Sequence, residues 1–455
     1  MSGEREPNEQ NRGAAMQPQL PPGPRVAKLV QTIGWWTRTP TYLERLRRRY
    51  GTRFTVRMLG LPPAVFLSDP ADVRELFAAP PDVLHPGEGA RLLEPIVGAN
   101  SVILLDEDAH LEQRKLMLPA FHGERMQRLL GLMEELTDRE VASWPVAEPV
   151  MVHPRLQRLT LEIILRAVFG LDEGLRLDRL RDRLTAVLEF SESPVSMLPA
   201  VQRWLSGRGR FGRFERDRAA VDAELFALVH ERRRDGAERD DVLAMLLEAR
   251  HTDGTPMTDD EIRDELMTAL VAGHETTASS LAFAFEQIAR APHVQERLAA
   301  GDDAYLEATM NEVLRRRPVL PNPEPRLVMR PTEIGGWTYP AGVVLMASAL
   351  LIHHDPAIYS DPYAFRPELF LDTKPGTYTW LPFGGGRRRC LGASFALLEM
   401  RVVLRAVAAR FTVTPAGPAR QPKRRMITLT PGDGGTVRLT HRVPTPEPSA
   451  IGAAA

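Results

Sequence analysis

The sequence predicts a mainly α-helical chain with a smaller β region, an α+β fold. From residue 106 to about residue 292, one helical pattern follows another. After Pro318, prolines, glycines and short apolar runs indicate strands and loops instead. No internal repeat or linker divides the chain after its first two dozen residues. We therefore expect one large domain at residues 25–442, preceded by a disordered, proline-rich segment (1–24) and followed by a flexible tail (443–455).

The first part of the domain combines short helices with one hairpin. Residues 41–50 predict a helix. Residues 53–57 alternate polar and apolar, residues 64–67 are apolar, and the Pro-Pro turn between them predicts a hairpin. Residues 69–78 begin with a capping aspartate and predict the next helix. Residues 80–102 contain glycine, proline and asparagine among apolar residues, a composition typical of an irregular lid over a pocket.

The later part contains the longest predicted helix. It begins at Thr258, which forms a capping box with Glu261, and continues to Arg290, where a proline ends it. Near the end of the chain, residues 427–429 and 436–439 flank the sequence PGDGG, which predicts a hairpin.

Composition excludes several classes of protein. The 455 residues include 58 basic and 59 acidic side chains, a net charge of -1 that gives no indication of nucleic-acid binding. The most apolar segment, residues 266–285, contains His274 and Glu275, and a central charge costs about 2.5–3.5 kcal/mol on membrane insertion. This segment therefore predicts a buried helix. The polar N-terminus and the single cysteine predict a cytoplasmic protein without a membrane anchor. We also expect a monomer.

That single cysteine, Cys390, lies in the most informative stretch, residues 383–392, which read FGGGRRRCLG. One cysteine forms no disulfide and no zinc knuckle, and the ordinary role of such a residue is a small buried hydrophobe. Here three glycines allow the backbone to approach a flat partner, and three arginines favour a thiolate. A helix pattern begins directly behind the cysteine and adds the positive end of its dipole. The stretch therefore predicts a thiolate that faces something large.

The stretch resembles the cysteine loop of the cytochrome P-450 family, whose pattern is F-x-x-G-x-R-x-C-x-G. The five fixed positions are filled by Phe383, Gly386, Arg388, Cys390 and Gly392. The resemblance implies the cytochrome P-450 fold, with haem b buried between a long central helix and this loop. It also implies that Cys390 is the axial ligand of the haem iron. The loop residues expected to contact the cofactor are Phe383, Gly384, Arg388, Cys390 and Gly392.

A second segment, AGHETT at residues 272–277, falls in the long helix. Alone it is weak evidence, since a glycine and threonines in a helix also read as a simple bend. It resembles the family's A-G-x-[D/E]-T segment, which implies that Thr276 hydrogen-bonds dioxygen at the iron and that Glu275 relays protons from solvent. Small Ala272 and Gly273 would leave room for dioxygen. For His274 we expect a structural or solvent-facing role.

Glu312 and Arg315 are three apart on one helix face, a spacing that is common on surfaces. They match the family's E-x-x-R motif, which implies a buried pair that supports the cysteine loop. The family's second arginine is replaced here by Leu369. We expect that Arg366 or another cation substitutes for this arginine, or that Glu312 and Arg315 suffice without it.

Two haem propionates require cations. His110 and Arg114 share a helix face and match a family position, Arg388 matches the loop arginine, and Arg326 matches a strand arginine with a register uncertain by one residue. The alternatives are a capping role for His110 and a solvated side chain for Arg326.

The chain contains no pattern for a flavin or iron–sulfur module, so electrons must come from a separate donor. Arg387, Arg389 and Lys115 are expected to dock an acidic ferredoxin or flavodoxin, or else form an ordinary solvated charge run.

The expected substrate is a hydrophobic small molecule such as a fatty acid, terpenoid, steroid or polyketide. By resemblance, the pocket would be lined by apolar residues, each of which could instead be ordinary core: Leu92, Leu93, Val97, Val102, Ile103, Phe190, Met197, Leu198, Ala269, Leu270, Ala272, Val319 and Leu320.

These patterns favour an oxygen-activating monooxygenase that hydroxylates or epoxidises its substrate. Glu275 and Thr276 support it, since thiolate-haem enzymes that use peroxide or rearrange hydroperoxides usually lack that pair. Those enzymes are the second hypothesis. A haem-binding sensor is the third, although no output module is apparent, and a protein without haem is the fourth.

Overall fold

The computed structural model of the chain describes residues 20–121, 124–191, 209–236 and 239–442. Predictions for residues 1–19, for Met197 and Leu198, and for the tail fall outside these ranges. The chain is 55% helical with a smaller sheet region, which confirms the predicted fold class.

Sixteen helices are present in the described residues. They are α1 (Lys28–Thr37), α2 (Thr39–Tyr50), α3 (Pro70–Ala78), α4 (Pro86–Gly89), α5 (Glu94–Val97), α6 (Glu107–Met117), α7 (Glu124–Ala142), α8 (Val152–Ala167), α9 (Leu175–Ser191), α10 (Gly209–Asp235), α11 (Val242–Glu248), α12 (Asp259–Ile288), α13 (Pro292–Ala299), α14 (Asp303–Arg316), α15 (Ala349–His353) and α16 (Ala393–Arg410). Short 3-10 turns occupy Arg91–Leu93, Leu118–Phe121, Pro367–Phe370 and Gly386–Arg388.

The strands in the same residues are short. They are β1 (Arg53–Val56), β2 (Ala64–Leu67), β3 (Leu84–His85), β4 (Pro149–Met151), β5 (Arg326–Val328), β6 (Thr332–Ile334), β7 (Trp337–Tyr339), β8 (Val344–Ala347), β9 (Phe411–Pro415), β10 (Lys423–Arg425), β11 (Thr428–Thr430) and β12 (Thr436–His441).

The largest sheet has five strands in the order β1-β2-β8-β5-β3. Only β2 and β8 run parallel among these neighbours. Along β2, Val65 and Leu67 pack into one hydrophobic cluster while Ala64 and Phe66 pack into another. Because successive side chains point to opposite faces, this sheet is covered on both sides. Smaller sheets have the orders β4-β12-β9, β10-β11 and β6-β7.

Local signals in the sequence are confirmed where they act within one element. The hairpin of β1 and β2 forms as predicted. The side chain of Asp69 caps α3, and Thr258 and Glu261 form the predicted capping box of α12, which ends at Ile288. Helix α1 was not predicted.

The predicted hairpin of residues 427–429 and 436–439 is wrong. Strand β11 pairs with β10, and β12 pairs with β4 and β9. The glycines between β11 and β12 serve close packing instead, because a side chain at Gly435 would lie 3.1 Å from the carbonyl oxygen of Ala282 in α12.

Helix α12 is the axis of the main hydrophobic core, and it packs along α8. In the described residues, no helix is long and apolar enough to cross a membrane.

Candidate active site

A cavity of about 1100 Å³ lies at the centre of the site. Among the parts of the chain that border it are α12, the loop that contains Cys390, the lid (residues 80–102) and α6. Cys390 is exposed to this cavity.

The loop before Cys390 is folded tightly. The Cys390 N–H donates to the Phe383 carbonyl oxygen at 3.0 Å. Gly384 and Gly386 have φ values of +65° and +64°, which strongly favour glycine. A side chain on Gly385 would come within 2.4 Å of the Phe77 ring. The glycines therefore allow the loop to turn sharply against α3, a role beyond the predicted approach to a flat partner.

The groups around Cys390 include some that raise the pKa of its thiol and some that lower it. Burial raises the pKa of its thiol, and the charge of Glu324 raises it further. The N–H of Gly392 and the charges of Arg114 and Arg389 lower it without reversing the shift. In the free protein the thiol therefore keeps its proton at neutral pH, and a coordinating metal would remove it.

His110 and Arg114 lie on one turn of α6 and both border the cavity. Burial, followed by the charges of Arg388, Arg114 and Arg326, lowers the pKa of His110 to about 3, so its imidazole is neutral at neutral pH. Arg114 donates to the carbonyl oxygen of Arg389 at 2.8 Å. Among the described residues, no carboxylate lies within 4 Å of Arg114. This arginine therefore presents a charge at the cavity wall that no carboxylate binds directly.

Arg388 and Arg326 have different surroundings. Arg388 borders the cavity, but its guanidinium is bound to Asp106 at 2.7 Å and to backbone carbonyls of the lid region. Arg326 does not reach the cavity wall, because it donates to the Leu76 carbonyl oxygen at 3.0 Å and to Glu324 at 2.8 Å. Three of the four predicted cationic residues are thus brought together at the cavity.

The middle of α12 faces the same cavity. Thr276 borders it, and its hydroxyl donates to the Ala272 carbonyl oxygen one turn earlier at 2.5 Å. A side chain on Gly273 would lie 3.0 Å from Ile164 of α8. Gly273 therefore permits close packing of two helices in addition to bordering the cavity.

Glu275 is held by residues that its sequence neighbourhood does not reveal. Its Oε2 accepts from Gln157 at 2.7 Å, and its Oε1 accepts from Ser279 at 3.0 Å. His153 and Arg425 lie 3.4 and 3.7 Å from Oε1. Of these partners, only Ser279 could be predicted from the sequence, because it lies one helical turn after Glu275 in α12.

This surrounding determines the charge of Glu275. Burial alone would raise its pKa, but His153, Arg425 and His274 together lower it below the ordinary value, so Glu275 is ionised at neutral pH. His274 is buried and its Nδ1 lies 2.9 Å from the hydroxyl of Thr160. Burial lowers the pKa of His274 to about 4. Of the two roles expected for His274, the structural one fits this position and the solvent-facing one does not.

Most of the predicted lining residues border the cavity: Leu92, Leu93, Val102, Ile103, Ala269, Ala272, Val319 and Leu320. The prediction is wrong for Val97 and Leu270, which are fully buried elsewhere in the core. At these two places the neighbouring residues, Ile96 and Ala269, face the cavity instead. The side chain of Phe190, like Met197 and Leu198, lies outside the described residues.

Glu312 and Arg315 form a fully buried pair, with two hydrogen bonds of 2.6 and 2.8 Å. The remaining donors of Arg315 bind the carbonyl oxygens of His353, Pro362 and Ala364 at 2.8, 2.9 and 3.2 Å. One guanidinium therefore fixes the segment that leads to the cysteine loop.

Within the part of the chain that the structure describes, the second arginine expected of the motif is not replaced by another cation. The backbone N–H of Arg366 donates to Glu312 Oε1 at 2.9 Å. The side chain of Arg366 turns away and binds Ser360. With leucine at position 369, both carboxylate oxygens of Glu312 therefore still have hydrogen-bond partners. Glu312 and Arg315 suffice without a second arginine.

Comparison with known proteins agrees with this fold. The family model described as Cytochrome P450 matches residues 18–436. Putative cytochrome P450 135B1 of Mycobacterium tuberculosis (strain ATCC 25618 / H37Rv) is 38% identical over 435 residues, covering 92% of this chain and 91% of the relative. Putative cytochrome P450 138 of Mycobacterium bovis is 36% identical over 430 residues, covering 93% and 97%.

Solved structures show the same architecture. A retinoic acid-bound cyanobacterial CYP120A1 superposes with a TM-score of 0.82 at 23% identity, covering 94% of this chain and all of that one. The haem domain of cytochrome P450DA gives 0.80 at 22% identity, covering 94% and 99%. At such low identity these two structures support the fold alone.

The helical fold and the cysteine open to a large internal cavity define a haem-thiolate protein. The chain belongs to the cytochrome P450 family. It is therefore a haem-containing P450 monooxygenase, which uses dioxygen and an electron donor on a hydrophobic substrate.

The residues at the cavity fit this cofactor. Cys390 offers sulfur to the cavity, and the glycine turns before it leave no side chain at Gly384 or Gly386. Arg114, which no carboxylate of the described residues binds directly, fits a propionate, since a carboxylate bound there would be desolvated and paired.

Proposed function

We propose that Cys390 is the iron ligand of haem b in a monooxygenase that inserts one oxygen atom into a hydrophobic molecule. The observation that carries the proposal is the exposure of Cys390 to the same cavity as Thr276 and Glu275. The single cysteine supports haem b, since thioether attachment of a haem needs cysteines besides the proposed ligand. When bound, the haem supplies oxygen activation.

The propionates are held by His110, Arg114 and Arg388 in this proposal. Arg114 supplies the charge and a planar pair of donors, because Asp106 already neutralises Arg388. His110, neutral at neutral pH, supplies a neutral N–H donor. Arg326 acts indirectly, by keeping Glu324 in position behind the loop.

Protons reach the cavity along α12. Ser279 donates to Glu275 Oε1 and lies 3.1 Å from His153 Nε2, so the three side chains form one hydrogen-bonded chain. Glu275 accepts a proton from this chain and passes it to the cavity side, where Thr276 orients it.

Electrons come from an acidic ferredoxin or flavodoxin that docks at Arg387, Arg389 and Lys115. All three side chains are exposed. The substrate class remains that proposed from the sequence, a fatty acid, terpenoid, steroid or polyketide, and the apolar lining supports it. The monomeric state, the cytoplasmic location and the limits of the domain stay predictions.

The first test is the optical spectrum of the dithionite-reduced protein with carbon monoxide, for the wild type and Cys390→His. We expect the red-shifted Soret band of a thiolate–iron complex in the wild type only. A histidine-type band in the wild type, or a thiolate band that survives in Cys390→His, would contradict the assignment of Cys390.

A further inference from the structure

Arg424 of β10 is a largely buried cation at the cavity wall. Its Nε donates to the hydroxyl of Thr39 at 2.8 Å, and its Nη1 donates to the Met426 carbonyl oxygen at 3.1 Å. The guanidinium stacks over the Trp35 ring, 4.3 Å from the ring centre. Its Nη2 is buried and has no hydrogen-bond partner in the part of the chain that the structure describes.

Arg424 also lacks a counter-charge. Across residues 20–121, 124–191, 209–236 and 239–442, no acidic side chain lies within 4 Å of it. Burial lowers the pKa of its guanidinium to about 9, so it still carries its charge at neutral pH. A buried charge without a partner is strongly unfavourable, and a carboxylate bound beside it would relieve that cost.

Three other buried arginines among the described residues are paired. Arg315 binds Glu312, Arg388 binds Asp106, and Arg326 binds Glu324. Arg424 departs from this pattern, and it does so at the wall of the substrate cavity. Its counter-charge is therefore expected from a molecule that enters the cavity.

Asn322 provides a second unpartnered polar group that borders the cavity. Both polar atoms of its amide are buried and lack partners among the described residues, and the residue borders the cavity. In the β10–β11 ladder Arg424 lies opposite Leu429, whose N–H donates to the Val319 carbonyl oxygen at 2.8 Å. This bond ties the strands of Arg424 to the segment that carries Asn322.

Apolar side chains also line the cavity. Trp36, Met58, Leu61 and Met346 border the cavity with Trp35. A ligand that satisfies both kinds of surface has one anionic end and an apolar body.

We propose that the substrate is an amphipathic carboxylic acid, whose carboxylate binds Arg424 and the Asn322 amide while its apolar body extends toward Cys390. This inference rests on the proposed function, because it assigns the substrate of the same cavity. A guanidinium and an amide N–H together offer donors to both carboxylate oxygens.

The test compares acids with alcohols of the same carbon skeleton. Lauric acid with lauryl alcohol, and retinoic acid with retinol, are titrated by calorimetry into the purified holoprotein. For the wild type we expect each acid to bind at least about tenfold more tightly than its alcohol, the scale of one charge-assisted contact. In Arg424→Met, acid and alcohol should bind with equal affinity.

Two further variants separate the site from general electrostatics. Lys423→Met removes an exposed charge from the neighbouring position on the same strand and should keep the acid preference. Arg424→Lys keeps the charge and should retain part of the preference. Thermal unfolding of Arg424→Met reports on structure, since removal of an uncompensated buried charge should not lower the melting temperature.

The inference is overturned if wild type binds acids and alcohols equally, or if Arg424→Met retains the preference. Arg424 is a structural residue if Arg424→Met unfolds at clearly lower temperature and Arg424→Lys shows no preference. The carbon monoxide spectrum of the same samples separates these results from a failure of the proposed function. A thiolate band without acid preference rejects only this inference.

Discussion

Glu399 of α16 has both carboxylate oxygens buried and without partners among the described residues. Burial raises its pKa to about 8. The side chain is therefore protonated in the folded protein at neutral pH, whereas in the unfolded chain it ionises near its ordinary value of about 4.3. The pH dependence of stability follows from this difference.

We predict that Glu399→Gln gains stability relative to the wild type as the pH rises. Between about 4.3 and 8 the folded wild type binds a proton that the unfolded chain releases, so wild-type stability falls by at most about 1.4 kcal/mol per pH unit. Above pH 8 the difference should level off. Urea unfolding at a series of pH values measures it.

Exposed Glu296→Gln is the matched control for removal of one carboxylate. A difference between Glu399→Gln and wild type that stays constant from pH 5 to 8 would show that Glu399 does not change its proton affinity on folding.

Single residues in family motifs could be selected from the sequence. Cys390, Glu275 and Thr276 were selected by resemblance to those motifs, and all three border the cavity. The partners of Glu275 were not predictable, because Gln157 and Arg425 come from α8 and β10, and no local pattern brings those elements together.

At the scale of elements, the junction of α14 with the segment before the cysteine loop depends on one guanidinium and one backbone amide. Arg315 binds Glu312 and three carbonyl oxygens, and the Arg366 N–H completes the coordination of Glu312.

We predict opposite outcomes for substitutions at this junction. Glu312→Ala leaves Arg315 as an unpaired buried charge and should lower the free energy of unfolding by roughly 3–5 kcal/mol. Arg366→Ala keeps the backbone N–H and should stay within about 0.5 kcal/mol of wild type. Chemical unfolding, with haem content as a second measure, tests both. Equal destabilisation by the two changes would mean that the Arg366 side chain, and not its amide, supports the pair.

Pairing between elements was the least predictable level of the fold. The turn residues after β11 predicted a hairpin, but β12 finds its partners in β4 and β9. Turn composition determines where the chain reverses, whereas the core determines which strands meet. Here the competing interaction is the packing of Gly435 against α12.

Over the whole molecule, charge is balanced, with 58 basic and 59 acidic side chains. Long-range attraction of a partner therefore depends on local groups and not on net charge. Arg387 and Lys115 are exposed near the cysteine side of the cavity, where an electron donor would bind in the proposed function.

We predict that the double variant Arg387→Glu/Lys115→Glu is reduced at least about tenfold more slowly by an acidic ferredoxin at low salt. The difference should shrink as ionic strength rises, because salt screens exposed charges. Stopped-flow reduction measures both effects. Lys28→Glu on α1 is the control, and equal slowing in that variant would place the docking surface elsewhere.

The fold class was predictable because helical periodicity dominates most of the chain. The order of the five-stranded sheet was not, since β2 pairs with β8 from the other end of the domain. Sequence patterns describe one strand at a time, and the pairing of distant strands is determined by the complete core.

The backbone N–H that donates to Glu312 also determines which positions can be substituted without loss of this contact. An amide is present on every residue except proline, so position 366 tolerates almost any substitution without loss of that contact. Position 369 can be substituted as well, because no side chain is needed there to complete the pair of Glu312 and Arg315. The support of the cysteine loop therefore depends on one side chain fewer than the three-residue motif would use.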